Sequence, residues 1–275
     1  QATEVWWYNG ALGFPAEPVY VLIPYGTPAT FGWCQVGTSL YGLAQTAAGG
    51  VLIGRFSTGY GFEKISHHAI DQALKALTTT QLARAVAWTR DWQGHRFVVF
   101  TFEAALPLVY DASTGLWTHW DYWTQGTAEA FLGIGAFTLN GVDVLASRVD
   151  GQLYAFDDAY RTDDGAVLRC LRRAPCVHAL GQRAVHNSLY FDFEVGVGNA
   201  TVTAPVGMVR WSDDSGKTWS DTVQVTLGAV GDYDRDAQIR RLGSTKRKGR
   251  VYELVVTDAV VRGLSGVYLD IEQAA

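Results

Sequence analysis

The hydrophobic and polar positions of the chain follow one another in short segments that end in small polar residues. Apolar runs such as Val51–Phe56 and Phe97–Phe102 lead into turn-forming residues, which is the pattern of short β-strands joined by tight turns. Alternation in residues 152–156 and 250–256 predicts strands with one buried face. Three dipeptides typical of β-hairpin turns join such strands: Gln93-Gly94, Asn140-Gly141 and Asp150-Gly151.

A loose repeat links these strands. At four places an apolar strand runs into a small polar turn, usually with glycine and a following aromatic residue: Ser57–Tyr60, Asp111–Trp117, Asp157-Asp158 and Ser212–Trp219. The interval is about 50 residues, which is the length of a propeller repeat. Units of about four short strands, each packed on the next, form a propeller. We therefore predict an all-β fold of propeller-like blades of short antiparallel strands.

One segment departs from the strand pattern. Apolar residues between positions 66 and 77 recur at helical spacing and share one face: Ala69, Ile70, Ala73, Leu74 and Leu77. Ser66 precedes them and is predicted as the N-cap of the helix. We expect one short helix that lies between blades or on a rim of the ring.

Composition supports a folded chain without a general attraction to nucleic acid. Of the 275 residues, 48% are hydrophobic, 13% are aromatic and 18% are charged, which is opposite to the balance of a disordered chain. The formal net charge is −5, so we do not expect the whole surface to bind DNA electrostatically.

The cysteines and the start of the chain add two expectations. Cys34, Cys170 and Cys176 are too few and too unevenly spaced for a disulfide framework or a zinc site, so we expect buried thiols in a reducing compartment. The sequence shows no membrane span and no signal peptide. It begins with Gln1 rather than Met, so we expect a trimmed or partial chain.

The most specific motif is an Asp-box, the pattern S-x-D-x-G-x-T-W. Its defined positions are Ser212, Asp214, Gly216, Thr218 and Trp219. We expect the Asp214 carboxylate to accept backbone N–H bonds across the turn, Gly216 to adopt a positive φ, and Trp219 to enter the core of a blade. The Asp-box is thus interpreted as a structural element that carries no catalytic group.

Several ordered segments together resemble one family. They are residues 60–71, 85–88, 94–99 and 109–117, followed by the Asp-box strand and by residues 227–233, 240–244 and 251–254. This set is similar to the packaged-DNA stabilisation proteins of short-tailed bacteriophages, the tail hub or nozzle family. The resemblance covers about residues 50–271, and we predict one propeller-type domain over residues 1–275.

The resemblance implies a structural virion protein without catalytic residues, metal or cofactor. Members of the family form a ring, expected to be hexameric, below the portal and its adaptor. The ring lines the DNA exit channel, helps to retain the packaged genome, and carries fibres or a needle after assembly in the host cytoplasm. Members also carry more sequence ahead of this region, so ring closure within this chain stays an open question.

A glycan-binding or glycan-hydrolysing propeller of a phage tail is the alternative function. Hydrolysis needs two carboxylates that flank a sugar, or for sialidases an arginine cluster with a Tyr/Glu pair. The candidates are Glu63, Asp71, Asp121, Glu129 and Glu194, with Arg55, Arg96 and Arg148. Trp120 and Trp123 could form a sugar-stacking platform or could pack under an interface. A bacterial propeller scaffold without a viral connection is a third interpretation.

Other chemistry is poorly supported by the sequence. Residues 232–236 resemble the opening of a calcium loop, but they lack its glycine and its closing acidic ligand. His67 and His68 are adjacent and would point in different directions from a helix, so they do not form a metal-chelating pair. The glycine-rich runs lack the phosphate-binding patterns.

A basic run is the remaining candidate site. Arg240, Arg241 and Arg250 flank the group Lys246, Arg247 and Lys248. We interpret the run as a solvated hairpin loop. The sharper hypothesis is that Lys246, Arg247 and Lys248 contact an acidic neighbouring subunit or the DNA that passes through the channel.

Overall fold

The computed structural model describes residues 2–57 and 59–273, and its secondary structure consists mainly of short antiparallel strands. The chain divides into two compact units, Gln1–Asp157 and Asp158–Ala275. The prediction of one propeller-type domain over residues 1–275 is therefore corrected. The physical reason is that each unit buries hydrophobic clusters of its own.

The first unit consists of short strands and two short helices. Its strands are β1 (Thr3–Tyr8), β2 (Ala16–Ile23), β3 (Trp33–Val36), β4 (Ser39–Gln45), β5 (Val51–Phe56), β6 (Phe62–Lys64), β7 (Val86–Trp92), β8 (His95–Phe102), β9 (Ala105–Asp111), β10 (Leu116–Thr118), β11 (Asp121–Thr124), β12 (Thr127–Ala130), β13 (Gly133–Leu139), β14 (Val142–Ser147) and β15 (Leu153–Ala155). Helices α1 (His68–Lys75) and α2 (Thr79–Ala83) lie between β6 and β7 in the sequence.

Three antiparallel meanders dominate the first unit. Their strand orders are β3-β4-β5-β6, β7-β8-β9-β10 and β13-β14-β15, while β1-β2 and β11-β12 form two-stranded ribbons. Strand β7 contacts both β3 and β13, so the first strands of the three meanders are neighbours. Such an arrangement is that of propeller blades, whose first strands lie innermost. The all-β, blade-like fold is thus confirmed.

The tight hairpins of the first unit lie where the turn residues predict them. Gln93 and Gly94 connect β7 to β8 with φ angles of 48° and 83°. Asn140 and Gly141 connect β13 to β14 with φ angles of 50° and 79°. Two successive positive φ angles match the right-handed twist of the paired strands. Of the turns in the loose repeat, Ser57–Tyr60 joins β5 to β6, although Thr58 lies outside the described residues.

The helix begins later than the sequence predicts. The N-cap of α1 is His67, whose side chain makes no capping bond, and not Ser66. Ser66 is buried instead, where its hydroxyl donates to Asp71 at 2.6 Å and accepts from the backbone of Ile53 at 3.2 Å. Ile70 and Leu74 enter the hydrophobic cluster of the first two meanders. Helix α2, with its own capping box, was not predicted.

The second unit is a pair of antiparallel sheets. Its strands are β16 (Thr162–Asp163), β17 (Ala166–Val167), β18 (Cys170–Arg173), β19 (Ala184–Phe193), β20 (Val206–Ser212), β21 (Val223–Thr226), β22 (Ala237–Ser244), β23 (Val251–Val256) and β24 (Leu264–Gln273). One sheet has the order β18-β23-β20-β21 and the other has the order β22-β19-β24. Residues from both sheets form a single hydrophobic cluster, which is the packing of a β-sandwich.

Two expectations about the second unit are corrected. The turn Ser212–Trp219 joins two strands of this sandwich, β20 and β21, and so does not belong to a fourth blade. Strand β23 was predicted to bury one face, but its residues from Val251 to Leu254 are all buried. The reason is that β23 is paired on both edges, and charged side chains of its neighbours cover its outer face.

Candidate functional site

The Asp-box folds as a closed loop around the carboxylate of Asp214. One of its oxygens accepts backbone N–H bonds from Lys217 at 2.9 Å and Thr218 at 2.8 Å, and a bond from the Ser212 hydroxyl at 2.7 Å. The other oxygen accepts the Thr218 hydroxyl at 2.6 Å. These bonds, that of the Thr218 hydroxyl foremost, hold the pKa of Asp214 well below its usual range. Gly216 has a φ of 89°, which favours glycine.

The tryptophan of the Asp-box covers charged groups. The Asp-box pattern predicts Trp219 in the core of a blade, but its ring lies over the guanidinium groups of Arg210 at 4.6 Å and Arg173 at 5.1 Å. The ring is only partly buried. An aromatic face attracts cations, so Trp219 contributes to the sandwich through cation–π contacts with the two arginines, whose side chains stay partly exposed to water.

The two arginines hold a carboxylate that is fully buried. Glu253 lies directly opposite Arg173 on one side and Arg210 on the other, in three adjacent strands of one sheet. Both arginines form ion pairs with it at 2.5 Å. Burial would raise the pKa of Glu253, but the bonds from Arg173 and Arg210 outweigh it and lower that pKa below its ordinary value. This charged triad was not predicted from the sequence.

A second buried charge connects the Asp-box loop to the other sheet. The Arg250 guanidinium is 3% exposed and donates to both carboxylate oxygens of Asp213, at 2.7 and 3.1 Å. It also donates to the backbone carbonyls of Leu242 and Ser244, at the end of β22. Arg250 was predicted as part of a solvated loop, and this is corrected. It is a buried anchor because Asp213 and two carbonyl oxygens together satisfy its charge and its N–H groups.

A histidine and a tyrosine complete this buried network. His186 Nδ1 and the Tyr252 hydroxyl lie 2.6 Å apart, and His186 is 1% exposed. Its Nε2 has no hydrogen-bond partner within the described chain. Burial, with the nearby positive charge of Arg250, lowers the pKa of His186. The histidine is therefore a neutral core residue at neutral pH.

The basic turn, defined as Lys246, Arg247 and Lys248, is exposed. It joins β22 to β23 and is closed by a bond from the Gly249 N–H to the Lys246 carbonyl at 3.0 Å. Cys176 packs beside the turn and donates to the Lys248 carbonyl at 3.3 Å. Among the residues of this unit that the structure describes, none of the three basic side chains forms an ion pair, so their charges face solvent. This surface is the strongest candidate for a partner contact.

The carboxylates considered for glycoside hydrolysis do not form a pair. Asp121 and Glu129 lie in one two-stranded ribbon, but Asp121 is opposite Ala130 and Glu129 is opposite Tyr122. Because side chains alternate between the faces of a strand, the two carboxylates project from opposite faces. Glu194 lies in the second unit.

The other charged candidates have structural partners close by in the fold. Glu63 pairs with Arg55, and Asp71 pairs with Lys64, each at 2.5 Å. Arg96 lies 3.4 Å from Asp91, and Arg148 donates to the Phe102 carbonyl at 2.6 Å. These groups hold strands and loops together and do not converge on one site.

The two tryptophans considered as a sugar-stacking platform lie in different surroundings. Trp120 packs edge-to-face against Trp88, Phe97 and Phe131 in a hydrophobic cluster of the first unit. Trp123 is partly buried in β11, opposite Ala128. Trp120 is therefore engaged in core packing, and the pair does not present two free ring faces.

A cleft of about 400 Å³ lies where the innermost strands of the three meanders meet. Residues of β3, β7 and β13 line it, together with Gly37, Arg96 and Asp143 from neighbouring turns and strands. Its polar groups are engaged with one another, since Arg96 pairs with Asp91 and Thr138 donates to Asp143 at 2.9 Å. The cleft is a polar hollow at the centre of the blades.

The structure adds nothing that favours a metal site. Within residues 2–57 and 59–273, no three His, Cys, Asp or Glu side chains are grouped as ligands. In the acidic segment 232–236, Asp232 lies 3.7 Å from Arg235. Across the same described ranges, no helix is long and apolar enough to cross a membrane.

The three cysteines are free thiols, and they differ in exposure. Cys34 is partly buried, and burial raises its pKa to about 12. Cys170 is partly buried and Cys176 is exposed, so the expectation of three buried thiols is corrected for Cys176. Its position in a loop beside the basic turn explains the exposure.

The fold and the site define an all-β protein with a bladed unit followed by a sandwich unit whose polar groups serve structure. Two family models match the chain in the same order. The model described as "Bacteriophage P22 Gp10, beta-propeller" matches residues 1–161, and the one described as "Bacteriophage P22 Gp10, beta-sandwich" matches residues 169–272. The chain belongs to this family of phage structural proteins, which confirms the resemblance found in the sequence.

Other comparisons add little. No curated protein matches the chain. Among solved structures, a galactose complex of the exo-β-1,3-galactanase from Phanerochaete chrysosporium is 8% identical, and the match covers 86% of this chain and 67% of that chain. Its TM-score is 0.23, which is too low to carry an argument about fold or activity.

Proposed function

We propose that this chain is a ring-forming component of a phage tail, a hub or nozzle subunit that lines the DNA exit channel and helps to retain the packaged genome. The ring is hexameric, meets the portal adaptor, and carries fibres or a needle. Assembly takes place in the host cytoplasm, and the chain itself has no catalytic role and needs no cofactor.

The observation that carries the proposal is the ordered match of both family models. The bladed unit and the sandwich unit each correspond to one part of a phage protein, in the order in which they occur here. The polar residues found in the sandwich are used for structure, which agrees with a scaffold function. A net charge of −5 also suits a channel that must release DNA, because such a channel cannot bind the duplex tightly.

Electron microscopy with immunogold labelling tests the proposal. An antibody against this chain is applied to particles from a lysate of the source phage. Label at the tail, below the portal vertex, is the expected result. Particles without label, under conditions in which an antibody against a capsid protein labels them, would overturn the virion assignment.

The basic turn is proposed as a contact of the assembled ring. Its three exposed cations fit an acidic protein surface better than the channel DNA, because a tight grip would oppose ejection. The triple substitution of Lys246, Arg247 and Lys248 by Ser is expected to weaken assembly. Unchanged assembly together with unchanged DNA retention would remove the basic turn from the proposal.

The glycan alternative is favoured by one observation, the polar cleft among the three innermost strands, which has the volume of a small-ligand site. A glycan array and a hydrolase screen with the full chain test it. We expect no binding and no turnover. Binding that Arg96→Ala abolishes, with Arg84→Ala as a surface control, would place a glycan in the cleft.

A further inference from the structure

The sandwich unit carries opposite charges at its two ends. Strand pairing fixes which loops lie together. Ser212 is opposite Val251, and Val185 is opposite Ser244, so the loops 174–183, 213–222 and 245–250 share one end. At the other end, Phe193 is opposite Leu264 and Val206 is opposite Thr226. The loops there are 194–205, 227–236 and 257–263.

The first end is basic. Its three loops contain six Lys and Arg residues and three Asp residues, a formal charge of +3. One Arg and one Asp, Arg250 and Asp213, neutralise each other as the buried anchor. The exposed cations are the basic turn with Lys217 and Arg183. Glu272 of β24 lies beside this end, opposite Val185, and lowers its charge by one.

The opposite end is acidic. Its loops contain five Asp and Glu residues and two Arg residues, a formal charge of −3. Glu194, Asp234 and Asp236 are exposed. Arg262 is turned inward, where it donates to the carbonyls of Asp258 and Arg161. The sandwich therefore presents a cationic surface at one end and an anionic surface at the other.

We infer that the basic end of one copy binds the acidic end of the sandwich unit of a second copy. The reason is charge complementarity within a single chain, since surfaces of opposite sign attract and orient their partners. Two different surfaces of the same subunit form a heterologous contact, which closes into a ring when the rotation allows it. The inference rests on the proposed ring function and names the subunit contact.

Charge reversal tests the contact by sedimentation of the purified full chain at low salt. The basic-end variant carries Lys246→Glu, Arg247→Glu and Lys248→Glu, and the acidic-end variant carries Glu194→Lys, Asp234→Lys and Asp236→Lys. We expect the wild-type chain to self-associate, and each variant alone to associate at least about tenfold more weakly, because like charges then face each other. An equimolar mixture of the two variants is expected to regain association as an alternating oligomer, because the two intact ends are complementary and the two reversed ends are complementary as well.

A variant that carries both sets of reversals is expected to regain self-association, since its two ends are again complementary. The matched control is Arg172→Glu, Arg240→Glu and Arg241→Glu, which makes the same change in charge on exposed strand positions outside the loops. It is expected to associate like the wild-type chain. Raising the salt concentration should weaken the association of the wild-type chain and of the variant that carries both sets of reversals.

Three outcomes would overturn the inference. They are a wild-type chain that stays monomeric at low salt, self-association that survives both single-end variants, and a mixture of the two variants that does not associate. A basic end that instead shifts duplex DNA in a gel, with no self-association, would assign it to DNA. Because immunogold labelling tests the virion role separately, loss of the contact with label still at the tail would refute the inference alone.

Discussion

Each unit contains a turn that is closed by an aspartate, and the two turns are attached to the rest of their units in different ways. In the bladed unit, Asp111 accepts the Ser113 N–H at 2.9 Å and the Thr114 hydroxyl at 2.7 Å, and it also lies 2.7 Å from Nδ1 of His95 on the neighbouring strand. One carboxylate thus closes the turn and attaches it to the sheet. In the sandwich, adjacent residues divide these tasks.

In the Asp-box, one aspartate closes the loop and the adjacent aspartate attaches it to the rest of the unit. Asp214 bonds only within its own loop, whereas Asp213, which the motif leaves undefined, receives the buried guanidinium of Arg250. The motif residue therefore shapes the loop, and its neighbour fixes the loop to the rest of the unit. The residue that defines a turn motif and the residue that stabilises the protein can therefore be different ones.

The largest effect is expected when the anchor of the Asp-box is removed. Arg250→Met leaves the Asp213 carboxylate and two carbonyl oxygens without their donor, so we expect the sandwich to lose about 3 kcal/mol of stability. Urea unfolding followed by tryptophan fluorescence and by hydrogen exchange in residues 158–273 measures this loss. Arg247→Met, an exposed neighbour in the same turn, should change stability by less than about 0.5 kcal/mol.

If the two substitutions cost the same, Arg250 is not the anchor and the comparison between the turns fails. Asp213→Asn tests how much of the stability lost in Arg250→Met depends on the Asp213 carboxylate. That variant keeps the bonds from Arg250 to Leu242 and Ser244, so it should lose less stability than Arg250→Met.

A smaller effect is expected from removing the carboxylate that closes each turn. Asp111→Ala should destabilise the bladed unit by about 2 kcal/mol, because a buried group that serves both tasks is lost. Asp214→Ala should cost less, since its bonds are local and its surroundings are open. Hydrogen exchange resolves the two units in one experiment.

His95→Ala is the discriminating control for the first turn. It removes the attachment and leaves the bonds from Ser113 and Thr114, so its cost should lie below that of Asp111→Ala. Equal losses of stability in Asp111→Ala and Asp214→Ala would mean that the contact between Asp111 and His95 contributes nothing to the stability of the bladed unit.

The local parts of the fold could be predicted from the sequence. The hairpins at Gln93-Gly94 and Asn140-Gly141 follow from the backbone angles that these residues adopt easily, and the helix follows from the spacing of Ile70 and Leu74. The boundary near residue 157 could not be predicted. Strands, turns and aromatics continue across it with the same local pattern, and only the separate hydrophobic clusters distinguish the two units.

The buried charges of the sandwich could not be predicted from the sequence either. The basic run assigns Arg250 to a solvated loop, and Glu253 lies in a strand that alternation predicts to expose one face. Their partners Asp213, Arg210 and Arg173 lie 37, 43 and 80 residues away in the chain. Strand pairing brings them together, and pairing between distant strands leaves no periodic signal. A charged residue inside an otherwise apolar strand was the one available indication, at Glu253.

The smallest effect concerns pH and separates the sandwich from the bladed unit. The pKa of buried His186 lies below its ordinary value of about 6.5, so the unfolded chain binds a proton there more readily than the folded one. Above the ordinary pKa, His186 does not change the free energy of unfolding. As the pH falls from the ordinary pKa towards the lowered pKa of the folded state, proton binding to the unfolded chain lowers the free energy of unfolding. We expect the sandwich to weaken modestly between pH 7 and pH 5. In His186→Gln that slope should largely disappear from residues 158–273, while the bladed unit keeps the pH response of the wild-type chain. A slope that persists in His186→Gln would assign it to another group and leave His186 as an ordinary core residue.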